Sequence, residues 1–591
     1  MSIRLIIRVA AWLLLIALAP GPVDAAPRPE KLDAAVRAAY EDGFDGTLRV
    51  IVRRAPSSSG GLGGLLGGIG QSVGTLLGEL PLIGAIVARV THAELTTLTA
   101  ADDVLRISLD ARMRPYLPVD PSDVTPTAGS SNTPSLERIE VNGERIDGDG
   151  VTVAVLDSGV AFTGELRFAG FVDFTRRNWL TGADHVEGIP YDDWGHGTHV
   201  AHLIAGSGLH SRGRYRGVAP RARILGVKVL DRDGGGQVSD VIRALGYVVA
   251  NRDRFGVDVV NLSLGHPIYE PAEHDPLVRA VEATVRAGIV VVVSAGNVGL
   301  SPEDGTPGYA GILSPGNAPS ALTVGAVDTR GTPSLGDDRV APYSSRGPTW
   351  YDARAKPDVV APGHRLIAPT GTVLGGEQRT GGRVVEAGLP DMVRLSGTSM
   401  AAGVASGMVA LALEANAVGQ HGGSALPPNA IKAALQYSAT EIQAFDALSQ
   451  GAGAINPAGA VELVSQLDPA APAGEWWLTG PVEPRSVIAG EEAAWSTFFF
   501  WGNRKAWGDG IFEHAAAWPV QVAWDDDVTW SNRVVWGENV VWGHQDEDSP
   551  TVWGAQTVWG ERIVWGERIV WGDRIVWGER IVWGERIVWG E

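Results

Sequence analysis

An α/β fold, a parallel sheet between two helical layers, is the class this sequence predicts for residues 135–466, and three observations predict it. Apolar, β-rich runs recur at residues 151–156, 222–229, 257–262 and 289–293. Helix-like stretches, such as residues 238–251 and 276–287, lie between them. Strands that are apolar along their whole length and alternate with helices belong to a sheet covered on both faces. The runs also end in polar residues, and in such sheets sites gather at the C-terminal ends of the strands.

Composition bounds the rest. The chain has 591 residues, 45% hydrophobic and 20% charged, an ordinary globular balance with room for several domains. Its 68 acidic and 48 basic residues give a net charge of −20. That opposes nucleic-acid binding, which needs clustered Lys and Arg. There is no cysteine, which excludes a thiol nucleophile, a cysteine-held metal and any disulfide.

Residues 1–25 have the pattern of a secretory signal: Arg4 and Arg8, an apolar run over 9–19, and Val23-Asp24-Ala25 as a small-residue cleavage site. The alternative is an uncleaved anchor, but eleven residues are about half of the ~20 that a bilayer needs. Residues 26–118 read as a small α+β domain, helix-like at 32–40 and strand-like at 46–53, with a Gly-rich insertion at 57–78. Residues 119–134, rich in Pro, Ser, Asp and Thr, read as an exposed linker open to cleavage.

The C-terminal region, 467–591, carries 17 of the 21 tryptophans. From Trp495 onward they recur every six residues, apart from two steps of eleven, and late copies converge on Ile-Val-Trp-Gly-Glu-Arg. Six is an even step, so a strand would place every Trp on one face, whereas a helix would wind them around. Adjacent Val and Ile favour β-structure. Either a stacked β-repeat or a low-complexity segment ordered on a partner fits.

Four polar residues carry the chemistry. Asp157 closes the run VAVLDSG, His196 lies in GHGTHVA, Asn297 ends VVVVSAGN, and Ser399 lies in LSGTSMA ahead of an apolar helix. Acyl transfer from a peptide needs a serine, an imidazole to take its proton, and a carboxylate to orient the imidazole. It also needs donors for the oxyanion. A helix N-terminus at Ser399 and the Asn297 amide supply them.

In their order, VLDSG, GHGTHVA, SAGN and SGTSMA resemble the subtilisin-like serine proteases (subtilases, peptidase family S8), nearest to the bacterial AprX-like branch. YRGVAP at 215–220, VVNLSLG at 259–265, APYSSRGP at 341–348 and KPDVVAPG at 356–363 extend the resemblance over residues 148–464. It implies a subtilisin-like three-layer fold and a secreted serine endopeptidase. In it Asp157 orients, His196 is the general base and acid, Ser399 is the nucleophile and Asn297 the oxyanion donor. Substrate would lie extended between Gly234-Gly235-Gly236 and Ser263-Leu264-Gly265. Leu313, before Ser314-Pro315-Gly316, stands where relatives have glycine and is expected to fill part of the primary pocket. Residues 83–115 resemble the second half of an inhibitor-type prodomain, which implies a self-processing zymogen.

Three departures stand out. His202 replaces the glycine of GTHVAG, and Gly403-Val404 replaces the usual Pro-His. Residues 196, 199 and 202 spread over about 120° of a helix without the HExxH glutamate, so a metalloprotease is disfavoured. Asp231-Arg232-Asp233-Gly234 imitates a calcium loop without its later acid. No cofactor is expected to be required, no metal site is assigned, and calcium elsewhere is left open.

The expected partners are protein or peptide substrates and the chain's own prodomain, not nucleic acid. The repeat tail has no assigned partner; a cell surface or a polymer would suit exposed aromatics. The alternatives are an inactive scaffold, or a surface binder dominated by the tail.

Overall fold

The computed structural model describes residues 26–55, 74–115, 139–178, 182–300, 305–371, 392–419, 426–472, 474–501, 504–507 and 509–512. It also gives four strands in the tail, Val535–Trp536, Val540–His544, Val552–Trp559 and Ile563–Val564. The signal at 1–25, the linker at 119–134, most of the Gly-rich insertion and most of the hexapeptides lie outside the described residues.

The chain divides into two units, residues 1–79 with 84–109, and residues 80–83 with 110–591. In the first, helix α1 (Ala34–Asp42) starts at Asp33, whose carboxylate accepts from the Val36 N–H at 2.7 Å. Strands β1 (Leu48–Arg54), β2 (Thr75–Leu80), β3 (Ala85–Val90) and β4 (Val104–Leu109) form a sheet in the order β2-β3-β1-β4. β1 pairs antiparallel with both β3 and β4. Helix α2 (His92–Ala100) opens on a capping box between Thr91 and Glu94. Val36, Val50, Val52, Ile86, Leu95 and Ile107 form the core. The end of the presumed insertion is thus strand: TLLGEL gives β2.

The second unit is built on nine strands: β6 (Thr152–Asp157), β7 (Arg167–Asp173), β8 (Val186–Glu187), β9 (Arg223–Lys228), β11 (Val257–Leu262), β12 (Val290–Ser294), β13 (Leu322–Asp328), β14 (Arg339–Val340) and β15 (Val359–Pro362). Two short strands outside that sheet, β5 (Arg112–Met113) and β10 (Gly236–Gln237), pair with each other. The large sheet runs β8-β7-β9-β6-β11-β12-β13-β14, with β15 also on β13. All these pairs are parallel except the two at its edges, β8 with β7 and β14 with β13. β6, β11 and β12 are almost wholly buried, as their Val-rich sequences lead one to expect.

The longer helices among the described residues of this unit are α3 (His196–Ala205), α4 (Val238–Ala250), α5 (Pro276–Arg286), α6 (Thr398–Val418), α7 (Pro428–Tyr437) and α8 (Pro457–Ser465). α6 is 21 residues long and apolar enough to span a bilayer, but it packs against α3, α8 and the sheet as a core helix.

The core continues past Gln466. Trp477, Trp495, Phe498, Phe499, Phe500 and Phe512 are buried in the same cluster as α7 and α8. The indole N–H of Trp477 donates to Ile511 O at 2.6 Å, and that of Trp495 to Ser486 Oγ at 2.8 Å. Trp495, the first member of the six-residue series, is therefore a core residue. Farther on, Val540–His544 pairs antiparallel with Val552–Trp559, and Val535–Trp536 with Ile563–Val564.

Candidate active site

The site gathers at the C-terminal ends of β6, β11 and β12. Asp157 ends β6, and His196 Nδ1–H donates to its two oxygens at 2.8 and 2.9 Å. The pair is 0% and 2% exposed, so the interaction is shielded from water. With Nδ1 holding the proton, Nε2 presents a lone pair, and it has no hydrogen-bond partner among the described residues.

His196 opens α3, and a polar frame fixes that first turn. Buried Asp192 accepts from the N–H groups of Trp194, Gly195 and Thr198 and from Thr198 Oγ1, at 2.7–3.0 Å. Burial pushes its carboxyl up from the ordinary range, and those four bonds act against the shift. Gly197 has no room for a side chain: a Cβ would stand 2.2 Å from Gly159 O and 2.8 Å from Asp157 Cβ. Lys228, level with Asp157 on β9, buries an ammonium that donates to Ser158 O, Leu230 O and Asp193 Oδ1, each at 2.6 Å. It holds the turn that follows Asp157.

Ser399 is the second residue of α6. Its Oγ donates to Ser263 O at 3.2 Å rather than to His196. A relay supports it from behind: Ser406 Oγ donates to Asn261 Oδ1, Asn261 Nδ2 to Ser263 Oγ, and Ser263 Oγ to Ser399 O, each at 3.0 Å. Asn297 Oδ1 accepts from Thr398 N at 2.9 Å and Thr398 Oγ1 at 3.1 Å. With its oxygen held there, the amide presents its NH2 to the opposite side.

A cleft strand completes the arrangement. Met113 pairs with Gly236 and Arg112 with Gln237, both antiparallel. Arg114 and Gly265 exchange N–H···O bonds at 3.2 and 3.0 Å. Of the two glycine-rich edges read from sequence, Gly236 and Gly265 make these pairings, while Gly234 packs on the Trp194 ring and Gly235 under the Arg112 guanidinium. The strand alternates, with Met113 and Pro115 buried and Arg112 and Arg114 exposed. Leu313 packs into the gap between Gly265 and Gly296, where built Cβ atoms would come within 3.2 and 2.9 Å of it. The Ser314–Pro315 peptide is cis.

The remaining histidines turn elsewhere. His199 bonds Val393 O at 3.1 Å, and burial, with the His196 charge second, pushes its imidazole down to about 3. His202 bonds Thr198 O at 2.8 Å and Thr163 Oγ1 at 2.9 Å, and burial pushes it down to about 4. Among the described residues no three His, Asp or Glu side chains converge as a metal site. Asp231 closes its own turn, accepting from Asp233 N and Gly235 N. Gly403 marks a close approach: a Cβ would meet Val200 at 3.3 Å.

Sequence reasoning missed Asp192, Lys228, Asn261 and Thr398. Asp192 left a signal, an acid just before a helix start, and Asn261 and Thr398 lie inside the motifs VVNLSLG and LSGTSMA.

Residues 148–454 match the Subtilase family, peptidase S8. The chain is 39% identical over 332 residues to serine protease AprX of Bacillus subtilis, covering 54% of this chain and 68% of that protein. Subtilisin E of Bacillus subtilis is 37% identical over 219 residues, 36% of this chain and 47% of its own length. The crystal structure of fervidolysin from Fervidobacterium pennivorans, a keratinolytic enzyme related to subtilisin, gives a TM-score of 0.51 at 21% identity. That alignment covers 71% of this chain and 61% of that one, a likeness of fold. The chain belongs to the subtilase family of serine endopeptidases.

Proposed function

We propose that the protein is a secreted endopeptidase, made as a self-processing zymogen, in which Asp157, His196 and Ser399 act as the triad and Asn297 as oxyanion donor. The observation that carries this reading is the buried Asp157–His196 pair, which fixes the proton on Nδ1 and leaves Nε2 open. His196 Nε2 takes the Ser399 Oγ proton as Oγ attacks the scissile carbonyl carbon. The charge that develops on the carbonyl oxygen goes to the Asn297 amide and the Ser399 N–H, each donor worth about 3–4 kcal/mol of barrier. His196 then gives its proton to the leaving amine, and water reverses the steps on the acyl-enzyme. Ser399 reaches His196 by turning its hydroxyl away from Ser263 O, a change that binding of substrate commonly completes.

The zymogen reading draws support from the cleft strand, since residues 112–114 already pair with both edges as a substrate would. Residues 1–25 would direct export, and residues 26–118 would fold and inhibit the enzyme before removal. Casein hydrolysis by the purified wild type beside Ser399→Ala, with N-terminal sequencing of each, tests the whole. Only the wild type should digest casein and lose its residues up to the 119–134 linker. A folded wild type that neither digests casein nor processes itself would leave the scaffold reading in its place.

A further inference from the structure

From Leu313 the chain makes a buried turn, residues 313–321, that leads into β13. Its first residues lie beside the cleft. Ser314 exchanges N–H···O bonds with His266 at 2.9 and 3.0 Å, directly after the edge Ser263-Leu264-Gly265. Asn317, the turn's own amide side chain, is fully buried and makes no hydrogen bond among the described residues. The turn is held from outside instead. On one side Asp275 accepts from Ser314 Oγ at 2.7 Å, and Glu282 of α5 accepts from Ser320 N and Oγ at 2.9 and 2.7 Å. On the other stand Lys356, Asp358 and Lys432, whose side chains are at most 3% exposed.

This cluster reaches three carbonyls of the one turn. Lys356 Nζ donates to Ala321 O at 3.0 Å and to Asp358 Oδ2 at 2.8 Å. Lys432 Nζ, from α7, donates to Pro319 O at 2.6 Å and stands 3.0 Å from Asp358 Oδ1. Asp358 Oδ2 also accepts from Thr323 N at 2.7 Å, and Thr323 Oγ1 donates to Gly316 O at 2.8 Å, next to Pro315. Two ammonium groups on one carboxylate leave a charge in excess. Burial, opposed by Asp358 and aided by Lys356, pushes Lys432 down to about 7, and the neutral amine keeps hydrogens for Pro319 O.

We propose that Lys356, Asp358 and Lys432 are positioning residues for peptide hydrolysis, fastening the turn that carries Leu313 and so setting the depth of the pocket for the side chain before the scissile bond. The inference rests on the peptidase reading of the site. A buried ion cluster adds little stability over an apolar one of the same size, but here it demands one arrangement of its partners. Leu313 fills the gap between Gly265 and Gly296 only while the turn keeps that arrangement. With one link removed the turn yields to a larger side chain, so the cluster maintains selectivity against Phe.

Three succinyl-Ala-Ala-Ala-X p-nitroanilides, with X as Ala, Leu or Phe, test this on the self-processed wild type, Lys432→Met and Thr323→Val. Met keeps the length of Lys without its donor. Thr323→Val keeps every charge and cuts only the bond to Gly316 O. Active enzyme is counted from the acyl-enzyme burst, and KM and kcat are read separately. The wild type should favour Leu over Phe in kcat/KM. In Lys432→Met that ratio should fall about tenfold, chiefly through KM, with kcat on the Ala peptide within about twofold of the wild type. Thr323→Val should lower it about threefold, and it decides the matter if Lys432→Met does not fold. A Leu-to-Phe ratio unchanged in the folded variants, or a loss by one common factor on all three peptides, would overturn the inference and leave the peptidase intact. A wild type that cuts none of the peptides, nor casein, removes the peptidase reading and the inference together.

Discussion

The two helices that deliver His196 and Ser399 are held by opposite means. The first turn of α3 is gripped by side chains: Asp192 takes three N–H groups and a hydroxyl, Ser158 Oγ accepts from Gly197 N, and Thr198 Oγ1 accepts from Ala161 N. α6 has polar bonds of its own, from Thr398 to Asn297 and from Ser263 Oγ to Ser399 O, but it is held chiefly by packing, buried over nearly all its 21 residues. Its glycines sit where neighbours come close, Gly407 against Val218 and Gly403 against Val200. Polar fixation concentrates the positioning energy in a few groups, each expensive to orphan. Packing spreads it over many contacts, so it yields to loss of volume rather than of any one bond.

The largest expected effect attacks the packed side. Phe498, Phe499 and Phe500 lie in one core with α6, α7 and α8. Burying such a side chain is worth about 1.5–3 kcal/mol. A chain ended after Gln466 loses these three together with Trp477 and Trp495, and it should fail to accumulate as folded, active protein. A chain ended after Phe512 should retain casein hydrolysis. Comparing soluble yield and activity of the two truncations checks this, and equal behaviour would place the domain boundary back at Gln466.

On the polar side, Asp157→Asn should lower kcat about 10⁴-fold, since the amide holds the imidazole in the wrong tautomer. The unfolding midpoint should move little, because shape and packing are kept. Asp192→Ala reverses that pattern. It leaves three N–H groups and a hydroxyl without their acceptor and should cost about 2–3 kcal/mol in urea unfolding, with a smaller fall in kcat. If Asp192→Ala were neutral in stability, the contrast between the helices would fail on its polar side.

This division also explains what could be read in the sequence. β6, β11 and β12 were legible because a strand buried on both faces must be apolar throughout, and the residue that ends each strand then stands out. Asp157, His196, Asn297 and Ser399 fall beside such runs or at a helix start. Lys228 was not legible, because a single Lys after a strand has many uses and its partner Ser158 lies 70 residues away. The pairing of Met113 with Gly236 was hidden for the same reason: the resemblance implied an inhibitor-type prodomain without naming the residues that pair. Trp495 misled through its own regularity. A six-residue period fixes which face of a strand a residue takes, not whether that face meets water or the core at Ser486.

The smallest effect concerns the departure at His202. Its imidazole lies in α3 among Thr163, Thr198 and Glu165, with His210 facing it across Glu165. Burial holds it at about 4, against 6.5 for a free imidazole, so the folded protein keeps it neutral. Below pH 6.5 the unfolded chain binds a proton here that the folded chain refuses, and stability therefore falls as the pH drops toward 4. At pH 5 the loss is about 2 kcal/mol, and at pH 7.5 it is nearly nothing. His202→Gln, made in a Ser399→Ala chain to prevent self-digestion, should flatten this part of the profile. Its unfolding midpoint should lie at or below the parent's at pH 7.5 and gain on it at pH 5. A His202→Gln profile parallel to the parent's between these values would place the acid sensitivity elsewhere, with buried His199 as the next group to replace.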